Sequence, residues 1–254
     1  MNIQKDGNYL EYFDYLKLLN GLDPEKRKDL QYIIVFILLY QNKCRIGEIL
    51  GDSPRRYCGS CQRVIRCYEL SDDVKKFRLK LHCECGAESK PEWRSSLRGI
   101  LKKDIDSVIS SEWGIQSPHN LRIFGKGSTF NIMDLDDTRL SSKIPGLFTL
   151  ISKWLNGIHI KEDEKIFNLS RLSVYNKLRY NKQGITCING RSLHPHSMRR
   201  ASAVRDSISL NISLPLIQHA LRHATLNQTL QYCRLSARDG YSQYSKLRFP
   251  SSHD

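Results

Sequence analysis

Tyr32 to Tyr40 reads YIIVFILLY, nine apolar residues in succession that stop at Gln41. A membrane-spanning helix needs about 18 or more such residues, so this run belongs in a protein core instead. Asp23 offers an N-cap and Pro24 a first helical position. A helix is therefore expected from Pro24 towards Asn42, with Leu30, Ile33, Ile34, Ile37 and Leu38 on its buried side. The chain of 254 residues has room for one large domain or two small ones and can bury a core without disulfides. A single helix-rich domain with an insertion fits that length.

Forty Lys and Arg against 26 Asp and Glu leave a net charge of +14, which makes a polyanion the natural partner and a membrane surface the weaker one. The N-terminal MNIQKDGNYLEYF lacks the charged, apolar and small-residue regions of a secretory signal. An intracellular protein, cytoplasmic or nucleoid-associated, is expected. Its eight cysteines then read as thiols or metal ligands rather than a disulfide framework.

Residues 1–22 read as a lead-in helix bearing Tyr9, Tyr12, Phe13 and Tyr15, broken by Asn20 and Gly21. Beyond the apolar helix, Arg45 stands at a helix start with Glu48 three residues later, a pattern that alone is an ordinary surface ion pair. Next, the knuckles Cys58-Gly-Ser-Cys61 and Cys83-Glu-Cys85 flank two strand-like runs, 64–70 and 77–81, separated by the polar turn Ser71-Asp72-Asp73. A ribbon too small for its own core is stabilised by tetrahedral thiolate coordination of zinc, so Cys58, Cys61, Cys83 and Cys85 are the expected structural zinc ligands. His82 or Cys67 can replace one of them, and four unrelated thiols are the plain alternative. Between Asp52 and Arg98 there are eleven Lys or Arg against seven Asp or Glu, so this insert is itself expected to touch DNA.

Leu121 to Met133 reads as a two-stranded hairpin in which Gly125 and Gly127 permit a tight turn around Lys126. A helix is expected from Ile144 to Leu155, with Pro145 near its start and Gly157 after its end. From Lys165 to Arg205 there are nine Lys or Arg and no acid. Within that stretch a helix from Leu172 to Tyr180, capped by Ser170 and followed by Gly184, carries Lys177 and Arg179. A face laid against phosphates is the reading, with a merely solvated basic face as its alternative.

Pro195 starts a helix that puts His196 and Arg199 on one face, Pro215 starts another that ends near Arg222, and His223 follows in the turn before Tyr232. Two imidazoles and a guanidinium near a phenol are what a phosphodiester requires when a protein oxygen attacks it without a metal, because charge gathers on the equatorial phosphate oxygens. His194, His219 and Tyr241 read as ordinary side chains, and 233–254 as a short helix with a frayed end.

In order and type, Arg45, Lys126, His196, Arg199, His223 and Tyr232 resemble the tyrosine recombinase (phage integrase) family over roughly residues 24–50 and 100–245. The resemblance implies an α+β, mainly α-helical catalytic-domain fold. On that basis residues 1–50 are N-terminal helices of the catalytic domain, 52–98 a zinc-ribbon-like insert, 99–245 the remainder and 246–254 a tail. It further implies a DNA breaking and rejoining enzyme that needs no cofactor for its chemistry and acts on double-stranded DNA as a homotetramer. Tyr232 would be the nucleophile and form a 3′-phosphotyrosyl link. Arg45 and Arg199 would clamp the phosphate, His196 would accept the phenolic proton, His223 would donate to the phosphate, and Lys126 would be the general acid. Glu48 would orient its neighbours, and Lys177, Arg179 and Arg200 would contact DNA. Arg200 stands where relatives often carry histidine, and Arg222 where glycine is usual. Fewer than fifty residues precede Arg45, so the small, catalytic-domain-only members are the expected match, with the insert as a replacement grip on DNA. A type IB topoisomerase and a non-catalytic zinc-ribbon DNA-binding regulator are the competing functions.

Overall fold

The structure is a computed structural model that describes residues 7–52, 55–58, 60–61, 67–70, 79–82, 85, 92–94, 97–106, 120–125, 130–135 and 138–233. Its centre is α2 (Arg27–Tyr40), in which every residue from Leu30 to Tyr40 is buried. The expected single buried face is thus too narrow: the apolar run is enclosed on all sides, as a helix without a polar stripe must be. The helix also begins later than expected. Asp23 caps a preceding turn by accepting the Glu25 N–H at 3.0 Å, and the helical ladder starts only at Arg27.

Other helices enclose α2. α1 (Tyr12–Asn20) lays Tyr15 flat on Tyr40, with ring centroids 3.9 Å apart. α4 (Leu147–Asn156) buries Leu147, Leu150, Ile151 and Trp154, and the Trp154 indole donates to the Ile166 carbonyl at 2.6 Å. Pro145 lies just outside α4, whose N-cap is Gly146, so this helix too starts two residues later than its proline suggests. α6 (Pro195–Ile208) packs on α2 and carries α7 (Leu214–Leu221) and α8 (Leu226–Cys233) on its other side. α5 (Arg171–Arg179) is capped as expected, with the Ser170 hydroxyl accepting the Ser173 N–H at 3.0 Å. Among the described residues no helix is long and apolar enough to cross a membrane.

Short strands border this helical body. β1 (Arg55–Tyr57) pairs with β4 (Glu92–Arg94), and β2 (Cys67–Leu70) pairs with β3 (Leu79–His82), both antiparallel. The second pair matches the two strand-like runs expected between the cysteine knuckles, with β3 running one residue past Leu81 to His82. β5 (Ile105–Asp106), β6 (Asn120–Phe124) and β7 (Phe130–Asp134) form an antiparallel sheet in that order, with Phe124 opposite Phe130 across the expected hairpin. The turn with Lys126, the polar turn 71–73 and the expected helix after Cys233 lie outside the described residues.

The segment expected to be an insert leaves and rejoins the body at one place. α3 (Ile46–Leu50) runs into it, and the returning chain is zipped back by Asp52 N–H to the Leu97 carbonyl (2.9 Å) and Ile100 N–H to the Ile49 carbonyl (3.0 Å). Gly51 (φ +82°) and Gly99 (φ +79°) face each other here, and a Cβ on Gly99 would lie 2.7 Å from the Gly51 nitrogen. Positive φ and backbone crowding together demand glycine. Gly99→Ala is therefore expected to destabilise the protein by about 2 kcal/mol or more, read as a lowered denaturant midpoint, whereas Gly184→Ala, with open space around it, should cost only its backbone strain of about 1 kcal/mol.

Candidate active site

The site grows from the corner between α2 and α3. Lys43 sits there in the left-handed conformation (φ +52°), and its ammonium is buried 2.7 Å from the Asp206 carboxylate on α6. That pair fixes the corner so that the Lys43 carbonyl points at the guanidinium groups. Arg199 Nη1 donates to it, as does Arg222 Nη2 at 3.0 Å. Arg199 donates its other terminal nitrogen to the Leu221 carbonyl, at the end of α7. Its side chain is 2 % exposed, yet among the described residues no carboxylate pairs with it. Burial lowers its pKa to about 10, with the Tyr232 phenol opposing and Arg45 and Arg222 adding to the fall, so it remains a cation at neutral pH.

A buried acid organises the other two arginines. Arg45 is the N-cap of α3, and Glu48, three residues on, accepts the Arg45 backbone N–H at 2.6 Å and its Nη1 at 2.8 Å. Glu48 Oε2 also receives Arg222 Nη2 at 2.6 Å. Burial pushes the Glu48 carboxyl up, but Arg222 and the Arg45 N–H outweigh it and hold the group below its ordinary range. The Arg45 side chain is 33 % exposed, so one of the three guanidinium groups faces outward.

The histidines and the phenol come next. His194, expected to be an ordinary side chain, is the N-cap of α6: its Nδ1 accepts the Ser197 N–H at 3.2 Å, while the Ser197 hydroxyl accepts the His194 N–H at 2.9 Å. This reciprocal cap presents His196 and Arg199 from the first turns of the helix. Tyr232, on α8, stands edge-on to His223, with centroids 5.1 Å apart, and its ring lies 5.9 Å from the guanidinium carbon of Arg199. Its hydroxyl donates to the His196 carbonyl at 3.4 Å. Burial raises the Tyr232 pKa while Arg199 and Arg200 pull it down. The pKa of His196 is lowered by desolvation and by Arg199, and that of His223 falls to about 4 through desolvation, Arg199 and Arg45. Both imidazoles are neutral at pH 7. The buried Thr229 hydroxyl lies 3.1 Å from His223 Nδ1 and orients the ring.

Arg45, His196, Arg199, His223 and Tyr232 are thus gathered from four elements, together with Glu48. Arg200 follows the nucleophile candidate itself: it donates to the carbonyls of Tyr232 (2.9 Å) and Gln231 (3.1 Å) at the end of α8. Lys177 pairs with Asp29 at 3.0 Å and lies over Tyr32, whereas Arg179 is exposed beside Tyr180. The acid-free stretch therefore finds part of its counter-charge in the N-terminal third, where Arg171 also reaches Asp52 at 2.8 Å. Lys126 and Cys83 lie outside the described residues. The Sγ atoms of Cys58, Cys61 and Cys85 lie within 4.8 Å of one another.

Four contributors escaped the sequence reading: Lys43, Asp206, Arg222 and Thr229. Asp206 left a signal, as the single acid between Glu164 and Asp239. Lys43 and Thr229 left none, since one acts through a carbonyl and the other through a hydroxyl on a helix face.

Among solved structures the chain is similar to the XerH site-specific recombinase bound to difH substrate in a pre-cleavage complex (TM-score 0.55, 15 % identity) and bound to palindromic difH in a post-cleavage complex (TM-score 0.56, 14 % identity). The matches cover 96 % and 97 % of this chain and 56 % of the XerH chain in both cases, so this chain spans about half of that protein. No protein-family model and no curated protein matches the sequence. The tyrosine recombinase catalytic-domain fold expected from the sequence is the one this chain has.

The His223 environment sets a pH dependence. An unfolded imidazole takes its proton near pH 6.5 and the folded one only near 4. Between those values the unfolded chain binds more protons, so stability is full above about pH 6.5 and falls as pH drops towards 4. His194 and His196 act in the same direction. Urea unfolding across this window should show His223→Gln with a reduced, though not abolished, loss of stability on acidification.

Proposed function

We propose that this chain breaks and rejoins double-stranded DNA as a site-specific recombinase, with Tyr232 as nucleophile. The phenolic oxygen attacks a backbone phosphorus, a tyrosyl O–P bond forms as the P–O5′ bond breaks, and the products are a 3′-phosphotyrosyl link and a 5′-hydroxyl. Because the phosphodiester energy is kept in the covalent link, rejoining by the reverse step needs no cofactor. The observation that carries this reading is the meeting of Tyr232, Arg199 and His223 within one chain, at ring and guanidinium separations of 5.1 and 5.9 Å.

The roles of Arg45, His196, Arg199 and His223 are supported by the state of each side chain. Arg199, cationic and without a carboxylate partner among the described residues, has unspent charge for a phosphate oxygen, and Arg45 offers a second guanidinium from the solvent side. The phenol, with its pKa raised by burial, needs a base, and the neutral His196 is the acceptor. His223, with Nδ1 engaged by Thr229, presents Nε2–H as a donor to the phosphate. Lys126 is assigned to the leaving oxygen on the family resemblance alone. The XerH site-specific recombinase structures are bound to difH substrate, and the net charge of +14 fits DNA as the partner here. A homotetramer on DNA and a cytoplasmic or nucleoid location are carried over from the family.

The insert is proposed to hold a structural zinc. Ligand sulfurs about 2.3 Å from a tetrahedral zinc sit about 3.8 Å apart, and the Cys58 and Cys85 sulfurs are 3.6 Å apart. Cys58, Cys61 and Cys85 would hold the ion, with Cys83 as the fourth ligand proposed from the sequence. Elemental analysis should find one zinc per chain, and a Cys58→Ser, Cys85→Ser double variant should lose it.

A suicide duplex carrying the target site tests the enzyme. Wild type is expected to form a covalent adduct that survives denaturant, Tyr232→Phe to bind without linking, and Arg199→Lys to lower the rate of linkage by about 100-fold or more. Undiminished adduct from Tyr232→Phe would remove the nucleophile assignment. Relaxation of supercoiled DNA without site dependence would favour a topoisomerase.

A further inference from the structure

Arg222 is placed in the molecule in a way that its position in the sequence does not explain. It occupies the left-handed C-cap of α7 (φ +54°, ψ +45°), a conformation that glycine adopts more readily than any residue with a Cβ. From there its side chain turns inward, 12 % exposed, and donates to the Glu48 carboxylate (2.6 Å), the Lys43 carbonyl (3.0 Å) and the Ala220 carbonyl (3.3 Å), with the Met133 sulfur a weaker acceptor at 3.9 Å. The first of these is the acid that Arg45 also holds, and the second is the carbonyl to which Arg199 also donates. The Arg222 main chain closes the circuit, because its own carbonyl lies 3.5 Å from Arg45 Nη2.

From this we infer that Arg222 is a positioning residue for the phosphate clamp: it neutralises Glu48, so that Arg45 keeps charge to give to a phosphate, and it shares the Lys43 carbonyl that sets the direction of Arg199. This rests on the recombinase reading for what the clamp holds, but not for the clamp's own geometry. With Arg45 alone, the Glu48 carboxylate would cancel the one guanidinium of the cluster that faces solvent. With Arg222 present, Arg45, Arg199 and Arg222 against Glu48 leave two positive charges where a phosphate with growing negative charge would sit. Arg222 does not itself face that space, which is why its role is exerted through Glu48 and Lys43.

The test uses the full chain and two independent readouts. The Glu48 carboxyl, faced by Arg45, Arg222, Arg199 and the Cys44 thiol, is followed by carbon NMR through a pH titration. In Arg222→Met the titration should move upward by about one pH unit, a tenfold change in proton affinity, and in Arg222→Lys it should move back towards wild type. On the suicide duplex, Arg222→Met should form adduct at least tenfold more slowly with duplex affinity changed less than threefold, and Arg222→Lys should recover part of the rate. Combining Arg222→Met with Glu48→Gln should cost less than the product of the two single losses, since the acid to be neutralised is gone. Unshifted Glu48 titration in Arg222→Met, or losses that multiply in the double variant, would overturn the inference. Should Arg222→Met not fold, Arg222→Lys and the Glu48→Gln pair decide it: equal rate losses for Arg222→Lys with Glu48 intact and with Glu48 replaced would count against it. A wild-type protein that never links to DNA would instead sink the recombinase reading, and the Glu48 titration would still decide the role of Arg222.

Discussion

One peptide carbonyl, that of Lys43, receives hydrogen bonds from two buried guanidinium groups and so ties the two halves of the site to each other. Arg199 comes from α6 and Arg222 from the end of α7, while Lys43 belongs to the corner that leads to Arg45. A carbonyl can serve this way only if its peptide is held in place. The left-handed turn at Lys43 aims it, and the buried ion pair from the same residue to Asp206 keeps it there. Burying a lysine ammonium is costly unless a carboxylate meets it, so the pair is as much a requirement of the corner as a support for it. The apolar helix α2 supplies the rest, because its end, wrapped on all sides, gives the corner a rigid base.

Charge in the site is distributed unevenly, and the inequality has a use. Lys43 is matched by Asp206 and Arg222 by Glu48, whereas Arg199 has carbonyl partners and the ring of Tyr232. Carbonyl dipoles orient a guanidinium without cancelling it, so the field around the phenol stays positive. Burial first, and that same field second, keep His196 and His223 neutral, and the field opposes the rise in the Tyr232 pKa that burial brings. The segment that follows α3 is tied to this arrangement, since Gly51 sits immediately after the helix that Arg45 caps and Gly99, on the returning chain, faces it.

Much of the fold was open to reading because its signals are local. The apolar run, the Ser170 cap, the hairpin around 121–133 and the prolines at 195 and 215 each act on their own neighbourhood, and each element appeared. Helix starts at Pro24 and Pro145 were misplaced by two or three residues because proline is as content in the turn before a helix as in its first position. The basic stretch from Lys165 to Arg205 was harder: local composition shows which charges lack neighbours in sequence but not that Asp29 and Asp52 reach across from the N-terminal third.

The sequence by itself showed side chains of the kind a phosphodiester requires when a phenol attacks it, because that depends on side-chain chemistry, and through the family resemblance it implied their common site and the fold that holds them. Tertiary structure alone decided that Arg222 stands among the arginines and not on the surface, that Arg200 grips the end of α8, and that a lysine carbonyl aims two cations. The reason is physical: main-chain carbonyls are the same in every residue and carry no letter in a sequence, and a buried charge takes its partner from whatever the packing brings near it.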